Sequence, residues 1–560
     1  MKKRFLSILM ALCLTLTLLP TAALADEGDA GNIETSTTSD EATPVPKERI
    51  NIKDGCLVNG VTAETEAGSI VYTVSKGDTS NWNQSSGTGS VDSYTYCGIY
   101  ITAPEGATSL KMNDEGNWDG LTEVTSEFFN NGEFQHWFPI ANYVENEYVL
   151  FNGGRVYNVL LEWSGASGVI LREYVTVRRE INNPAASIGT KTYLTVQDAI
   201  DAAVNNDVLV LERDTFEAVT VPAGKTITLD LNGKTLANNE TPQTTEGSGY
   251  QHTIVNYGTL TVTGSGTVDN VSHGKGALVN YGNVTLNEGT FTRSAEAGSS
   301  PSDNGGNSWY VIDNHGTMTI DGATVRSTGK YSSLIRNIKA NDSEAGVLNV
   351  VSGNLHNGFI TLKNDTDGTL NVTGGTITSD DQAIQNWNKA TISGGDLNGQ
   401  VYTWSAGSDV GDLTISGNAT ITGNVYAVQY KYTDKEDTIE PKAPATVKIE
   451  GGTIIGTVST ATSGYGTGES PTIPASMAVS GGNFSSSVRE EFLATGLTAE
   501  LYSTSKNSQA PYSYYGSVED ALKDAKAGDT VVDLTAQQGT EKYTVTLRYG
   551  NGEADTTYTE

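Results

Sequence analysis

From residue 258 to residue 484 the chain repeats one short pattern of apolar and polar positions. A glycine or small polar residue precedes an apolar–polar–apolar triplet. A glycine turn and one more apolar residue follow. Gly258-Thr-Leu-Thr-Val262 leads to Gly264 and Val268, and Gly282-Asn-Val-Thr-Leu286 leads to Gly289 and Phe291. The phrase returns as Gly316-Thr-Met-Thr-Ile320, Gly346-Val-Leu-Asn-Val350, Gly368-Thr-Leu-Asn-Val372, Ala390-Thr-Ile392, Gly411-Asp-Leu-Thr-Ile415, Thr446-Val-Lys-Ile449 and Met477-Ala-Val479. Starts lie 22 to 24 residues apart at the closest, and near 30 to 34 where insertions such as 294–308 and 430–444 intervene. Alternation marks strands, but triplets are too short for the strands of an ordinary sandwich. A regular period of such units predicts a parallel solenoid, each coil burying its apolar face on the next. About nine or ten coils stacked at ~4.8 Å would make a rod on the order of 45 Å long.

Two further columns follow the same phase. Asn256, Asn280 and Asn314 sit two residues before the turn glycine, with Asn337, Asn364 and Asn386 at a similar position. Stacked amides can each donate and accept along the axis, so the column is expected to be structural. A ring often follows the asparagine, as at Tyr257, Tyr281, His315 and Trp387. Facing solvent, these would form an aromatic strip able to stack sugars; facing the coil corners, they would only pack. The outward middle positions read Thr261, Thr285, Thr319, Asn349, Asn371, Thr391, Thr414, Lys448 and Ala478, a threonine row too irregular for ice.

The flanks differ. Thr195 can cap a short helix whose Val196, Ala199, Ile200 and Ala203 share one face. Thr195-Val-Gln-Asp-Ala-Ile200 recurs as Ser517-Val-Glu-Asp-Ala-Leu522, at an offset of 322. We expect a helix–strand cap and first coil over 185–240, the solenoid over 241–490 and a second cap-like unit over 510–540. That second unit could also open another solenoid. Residues 541–560 read as the start of a further β repeat, open to truncation. Residues 50–182 carry strand-like runs divided by Gly, Asn and Asp clusters, an antiparallel, sandwich-like domain. Trp82, Trp118, Trp137 and Trp163 fall there, where core burial is the commoner use of tryptophan.

The coil phrase, the asparagine column and the unit from Thr195 to Ile200, followed by Val221-Pro-Ala-Gly-Lys-Thr-Ile-Thr-Leu-Asp-Leu231, together resemble bacterial surface proteins of the pectate-lyase-like superfamily. The resemblance spans 185–484 and implies an all-β fold: a right-handed parallel β-helix with the sandwich-like domain and helix–strand caps around it. Residues 542–549 resemble the first strand of a small β repeat common in such proteins. The superfamily includes polysaccharide lyases and hydrolases acting on acidic polysaccharide. Asp380 and Asp381 are the one adjacent aspartate pair of the solenoid, with Arg336, Lys339 and His356 one or two coils earlier. The Asn-Thr-Asp, Gly-His-Gly and Arg-Ile-Lys signatures of the hydrolases are absent, and Arg336-Asn-Ile-Lys339 does not match them. An adhesin-like scaffold that binds glycans or another surface is the expected function, with a lyase or hydrolase as the alternative. A spacer that holds a ligand-binding N-terminal domain off the cell is a third reading.

Charge and the ends set the address. Lys2, Lys3 and Arg4, an apolar run and Ala23-Leu24-Ala25 make residues 1–25 a secretory signal. Residues 26–49 read as a disordered linker. The protein is expected to be secreted or displayed at the cell surface, with no later membrane insertion. The net charge of −32 falls to −35 once the three leader cations leave. Such a chain repels nucleic acid and anionic lipid, and the charge serves solubility first; the expected partner, a polysaccharide or host or cell-surface glycan, rests on the aromatic strip. No cofactor is expected; calcium is the one ion an acidic surface could collect, and Asn364-Asp-Thr-Asp-Gly368 only partly matches a calcium loop. Cys13 leaves with the signal, while Cys56 and Cys97 are either a disulfide or two free thiols.

Overall fold

This computed structural model describes residues 42–559, without 53–60, 76–93, 115, 145–146, 151–155, 243–249, 295–309, 329–332, 340–345, 435–436, 466–469, 504–510, 536–543 and 548–555. The expected signal, the linker up to residue 41, Trp82, Cys56 and the side chains of Cys97 and Trp137 lie outside the described residues, as does most of the 294–308 insertion. The chain divides into two units between Asn183 and Pro184.

The first unit holds two sheets. In one, Val61–Glu66, Ser69–Ser75, Gly168–Asn182, Val156–Gly165, Ser109–Asn113 and Thr122–Glu123 are neighbours in that order. In the other, Glu147–Leu150, Glu133–Val144, Tyr94–Thr102 and Ile50–Asn51 are neighbours. Antiparallel pairs dominate, but Ser69–Ser75 runs parallel to the end of Gly168–Asn182. Trp163 is fully buried and its Nε1 donates to Glu173 at 2.9 Å, while Trp118 lies under the Arg172 guanidinium. The last residues assigned to the linker belong to this unit. Thr43–Pro44 pairs with Glu173 and Tyr174, Val45 is buried, and Arg49 holds Glu173 at 2.7 Å.

The second unit is built from parallel strands laid one repeat upon the next. Each repeat contributes to three rows. The threonine row passes through Thr226–Asp230, Thr259–Thr263, Asn283–Leu286 and so on to the strand Ser476–Phe484. Its registered outward column is the sequence-predicted one, from Thr261 through Asn349 to Ala478. The flanking positions, from Leu260 and Val262 to Met477 and Val479, point into one continuous apolar core. A second row passes through Thr235–Ala237, Thr267–Asp269 and Thr290–Arg293, placing Leu236, Val268 and Phe291 inside. The third is the asparagine row described below.

The ends are closed by different means. Ala186–Ile188 pairs antiparallel with Lys191–Tyr193 and with Asp207–Leu211, which then runs parallel to Thr226–Asp230. Between them α1 (Val196–Ala202), capped by Thr195 Oγ1 accepting from Asp198 N at 3.0 Å, puts Val196, Ala199 and Ile200 on the core. The related C-terminal segment repeats this topology. Ala499–Ser503 pairs antiparallel with Tyr512–Tyr515 and Asp529–Asp533, which runs parallel to Thr556–Thr559. Its helix α2 (Val518–Asp524) packs Ala521 into a small separate core with Ala499, Leu501 and Val531. The far end of the stack is closed instead by Tyr514, edge-on to Phe484 at 5.9 Å, because a tyrosine strand crosses it antiparallel. The 430–444 insertion also departs from expectation. Tyr430-Lys-Tyr432 alternates as a strand does, so Val425–Asp434 continues and folds back on Asp437–Ile439.

Candidate functional site

In the asparagine row each short strand places an apolar residue and an asparagine inward, with one residue between them facing out. Parallel register lines those residues into a column: Val255, Val279, Asp313, Arg336, Lys363, Gln385, Tyr402 and Tyr426, of which Val279 and Asp313 are covered by their surroundings. The column is held in place by the amides beneath it. Asn256 Nδ2 donates to Asn280 Oδ1 at 2.7 Å, and the links Asn280–Asn314, Asn314–Asn337, Asn337–Asn364 and Asn364–Asn386 follow at 2.8, 2.7, 2.8 and 2.8 Å. All six asparagines are fully buried. Each Nδ2 also donates to backbone carbonyls, as Asn314 does to Gly316 and Val347. This meets the requirement that a buried amide be bonded. The amide links stop at Asn386, whose partner in register is Thr403.

Three of the four sequence-predicted rings meet. Tyr257 and Tyr281 stack at 5.1 Å and 8°, and Tyr281 stacks on His315 at 4.8 Å and 20°. Tyr257 is 49% exposed and Tyr281 42%. Trp387 belongs to a second group. It stacks on Trp404 at 5.4 Å, Trp404 on Tyr402 at 5.7 Å, and Tyr402 on Tyr426 at 4.7 Å. Tyr430 meets Trp404 edge-on at 5.8 Å and stacks on Tyr432. Touching rings lie ~3.5–4 Å apart, so centroids near 5 Å mean a slip of about 3 Å. Part of each face is left uncovered.

The two ring groups are separated by charge. Arg336 donates to both oxygens of the buried Asp313, at 2.8 and 2.6 Å, and lies over Tyr310 at 4.9 Å. His315 Nε2 is 3.2 Å from the same carboxylate. Burial pushes Asp313 up, but the bonds from His315 and Arg336 outweigh it and hold the carboxyl below its ordinary range. Lys363 pairs with Asp365 at 2.9 Å. The polar frame of the second ring group is amide-rich. Asp381 accepts from Gln382 and Gln400 at 3.2 and 3.1 Å. Gln400 Oε1 accepts from the Tyr402 hydroxyl at 2.9 Å, Gln385 Oε1 from Trp387 Nε1 at 3.0 Å, and Tyr426 Oη from Asn424 at 3.0 Å. Burial, then Tyr426 and Asp381, raise the Tyr402 phenol, which therefore stays a donor.

The proposed catalytic set does not gather. Asp380 is exposed, Asp381 is held by the two glutamines, and Arg336 is committed to Asp313. Lys339 pairs with Asp367, and His356 lies on another row, in register with Arg326. Glycoside hydrolysis needs two carboxyls flanking a sugar and its water; around Asp381 this face offers ring surfaces and hydrogen-bonded amides. At 364–368, Gly368 N donates to Asp365 O at 2.9 Å, a turn. Among the described residues no group of three or more His, Cys, Asp or Glu side chains converges as a metal site would. Sequence reading missed Tyr402, Trp404, Tyr426 and Tyr430; the available signal was the alternation Tyr402-Thr-Trp404 and Tyr430-Lys-Tyr432. No protein family, curated protein or solved structure matches the chain.

Proposed function

We propose that this is an exported, secreted or surface-displayed protein whose second unit is a right-handed parallel β-helix of the pectate-lyase-like type, acting as an adhesin-like scaffold that binds polysaccharide. The observation that carries the reading is the face around Trp387, Tyr402, Trp404 and Tyr426, where slipped rings repeat along the stack beside Gln382, Gln385, Gln400 and Asn424. Sugars present apolar ring faces and equatorial hydroxyls, and aromatic surfaces bordered by amides match both. Three-strand repeats paired in parallel support the helical winding, and the apolar leader with its small-residue cleavage site supports export. Glycan-array binding by the intact chain, compared with Trp387→Ala and Tyr281→Ala variants, tests the function. Loss of signal in the first variant is expected. Undiminished binding in both removes the rings from the function.

A further inference from the structure

On the reading that the Trp387–Tyr426 face binds glycan, we infer that its ligand is a neutral polysaccharide lying along the stack axis, rather than a uronate or sulfated polymer. An acidic sugar is held most strongly where a cation faces its carboxylate or sulfate. Among the described residues the ring face carries none. Its polar groups are four amides, the phenols and the carboxylate of Asp381. The cations next along the column are already matched, Lys363 by Asp365 at 2.9 Å and Arg336 by Asp313 at 2.6 Å. Lys431 is buried against Glu440 at 2.8 Å. Lys389, two residues beyond Trp387, begins a strand of the threonine row, in register with Thr369 and Asp412. The net charge of −32 adds a general repulsion of polyanions.

The direction follows from the register. Gln385, Tyr402 and Tyr426 succeed one another at one strand spacing, ~4.8 Å. That is close to the advance per sugar of an extended, equatorially linked pyranose chain. Successive sugars would meet equivalent positions on successive strands, each with a ring to cover and an amide to bond. An amide can donate to one hydroxyl and accept from another, which suits neutral sugars bearing only hydroxyl or acetamido groups.

The full chain is tested by affinity electrophoresis and calorimetry against a soluble β-glucan, a mannan and polygalacturonate, at low and high salt. Trp404→Ala and Gln400→Ala serve as variants, with circular dichroism to verify folding. The expected result is binding to a neutral polymer that salt does not weaken, no binding to polygalacturonate, and roughly tenfold weaker binding for Trp404→Ala. Binding of polygalacturonate that Trp404→Ala weakens would overturn the neutral assignment while leaving the face as the site. Absence of binding to every polymer, or binding that neither variant changes, would overturn the face itself.

Discussion

Replacing Asn314 by alanine should show how much the buried amide column contributes. Asn314 Nδ2 donates to Asn337 Oδ1, Gly316 O and Val347 O at 2.7, 3.0 and 3.0 Å, and its Oδ1 accepts from Asn280 at 2.8 Å. Asn337 Oδ1 takes its hydrogen bond from Asn314, so the substitution strands a buried acceptor. Four lost bonds at about 1 kcal/mol each, plus about 1–3 kcal/mol for the orphaned oxygen, give a cost of about 5–7 kcal/mol. Asn256→Ala makes the comparison. The Asn280 oxygen it leaves behind still accepts from Gly282 N at 3.2 Å, but four bonds are lost and the buried Gly258 N loses its acceptor, so a similar cost is expected there. Repeat arrays depart from two-state unfolding, so the sharper assay is amide exchange followed by mass spectrometry. Peptides covering 312–337 should lose protection in Asn314→Ala, and the melting temperature should fall by roughly 5 °C or more. A cost below about 0.5 kcal/mol in both variants would refute the column as a source of stability.

Gly282→Ala should destabilise by more than about 2 kcal/mol, since a Cβ there would overlap the Gly258 carbonyl oxygen of the preceding coil; an unchanged melting temperature would contradict this packing. Burial first, then Lys275, lowers the His252 imidazole to about 4, and its Nδ1 accepts from Gly276 N at 2.9 Å. An unfolded histidine titrates near ~6.5, so the unfolded chain binds the extra proton between those values, and stability should drop as pH falls from 6.5 to 4, by about 3 kcal/mol in all. His252→Gln should flatten that part of the profile in pH-dependent melting. Lys225 Nζ donates to the carbonyls of Ile200, Asp201 and Ala203 at 2.7, 2.8 and 2.9 Å, closing the C-terminal end of α1. Lys225→Met should cost about 1.5–3 kcal/mol, with exchange accelerated first in 196–203.

The rows were legible because their residues obey one rule. Leu260, Val284 and Met318 recur at a fixed place after a turn, and in-register pairing converts that recurrence into a column. The asparagines announced themselves for the same reason. The ring face was half legible. Tyr257, Tyr281 and His315 follow asparagines and could be placed, but beyond Asn386 the marker gives way to Thr403 and then Ala427. Without it the register of 401–405 and 425–432 could not be read, and the tyrosines of the back-folded strand looked like loop. The Asp380–Asp381 pair looked reactive because adjacency in sequence is visible and hydrogen bonding is not. Of the two glutamines that occupy Asp381, Gln382 follows it on the same strand and Gln400 comes from the neighbouring one.

The asparagine column also has a direction. All five links run the same way, from the amino group of the earlier residue to the oxygen of the later one. Six amide dipoles therefore point head to tail through the interior of a fold whose sheets ordinarily carry little net dipole. The column has an oxygen end at Asn256 and a hydrogen-donating end at Asn386, a polarity comparable in kind to that of a helix. A duplicated coil inserted within the column would extend the line of dipoles without a fault. A coil that replaced its asparagine with aspartate would face a neighbouring oxygen and break it. The column thus lets the protein lengthen by whole coils while selecting which coils can be added.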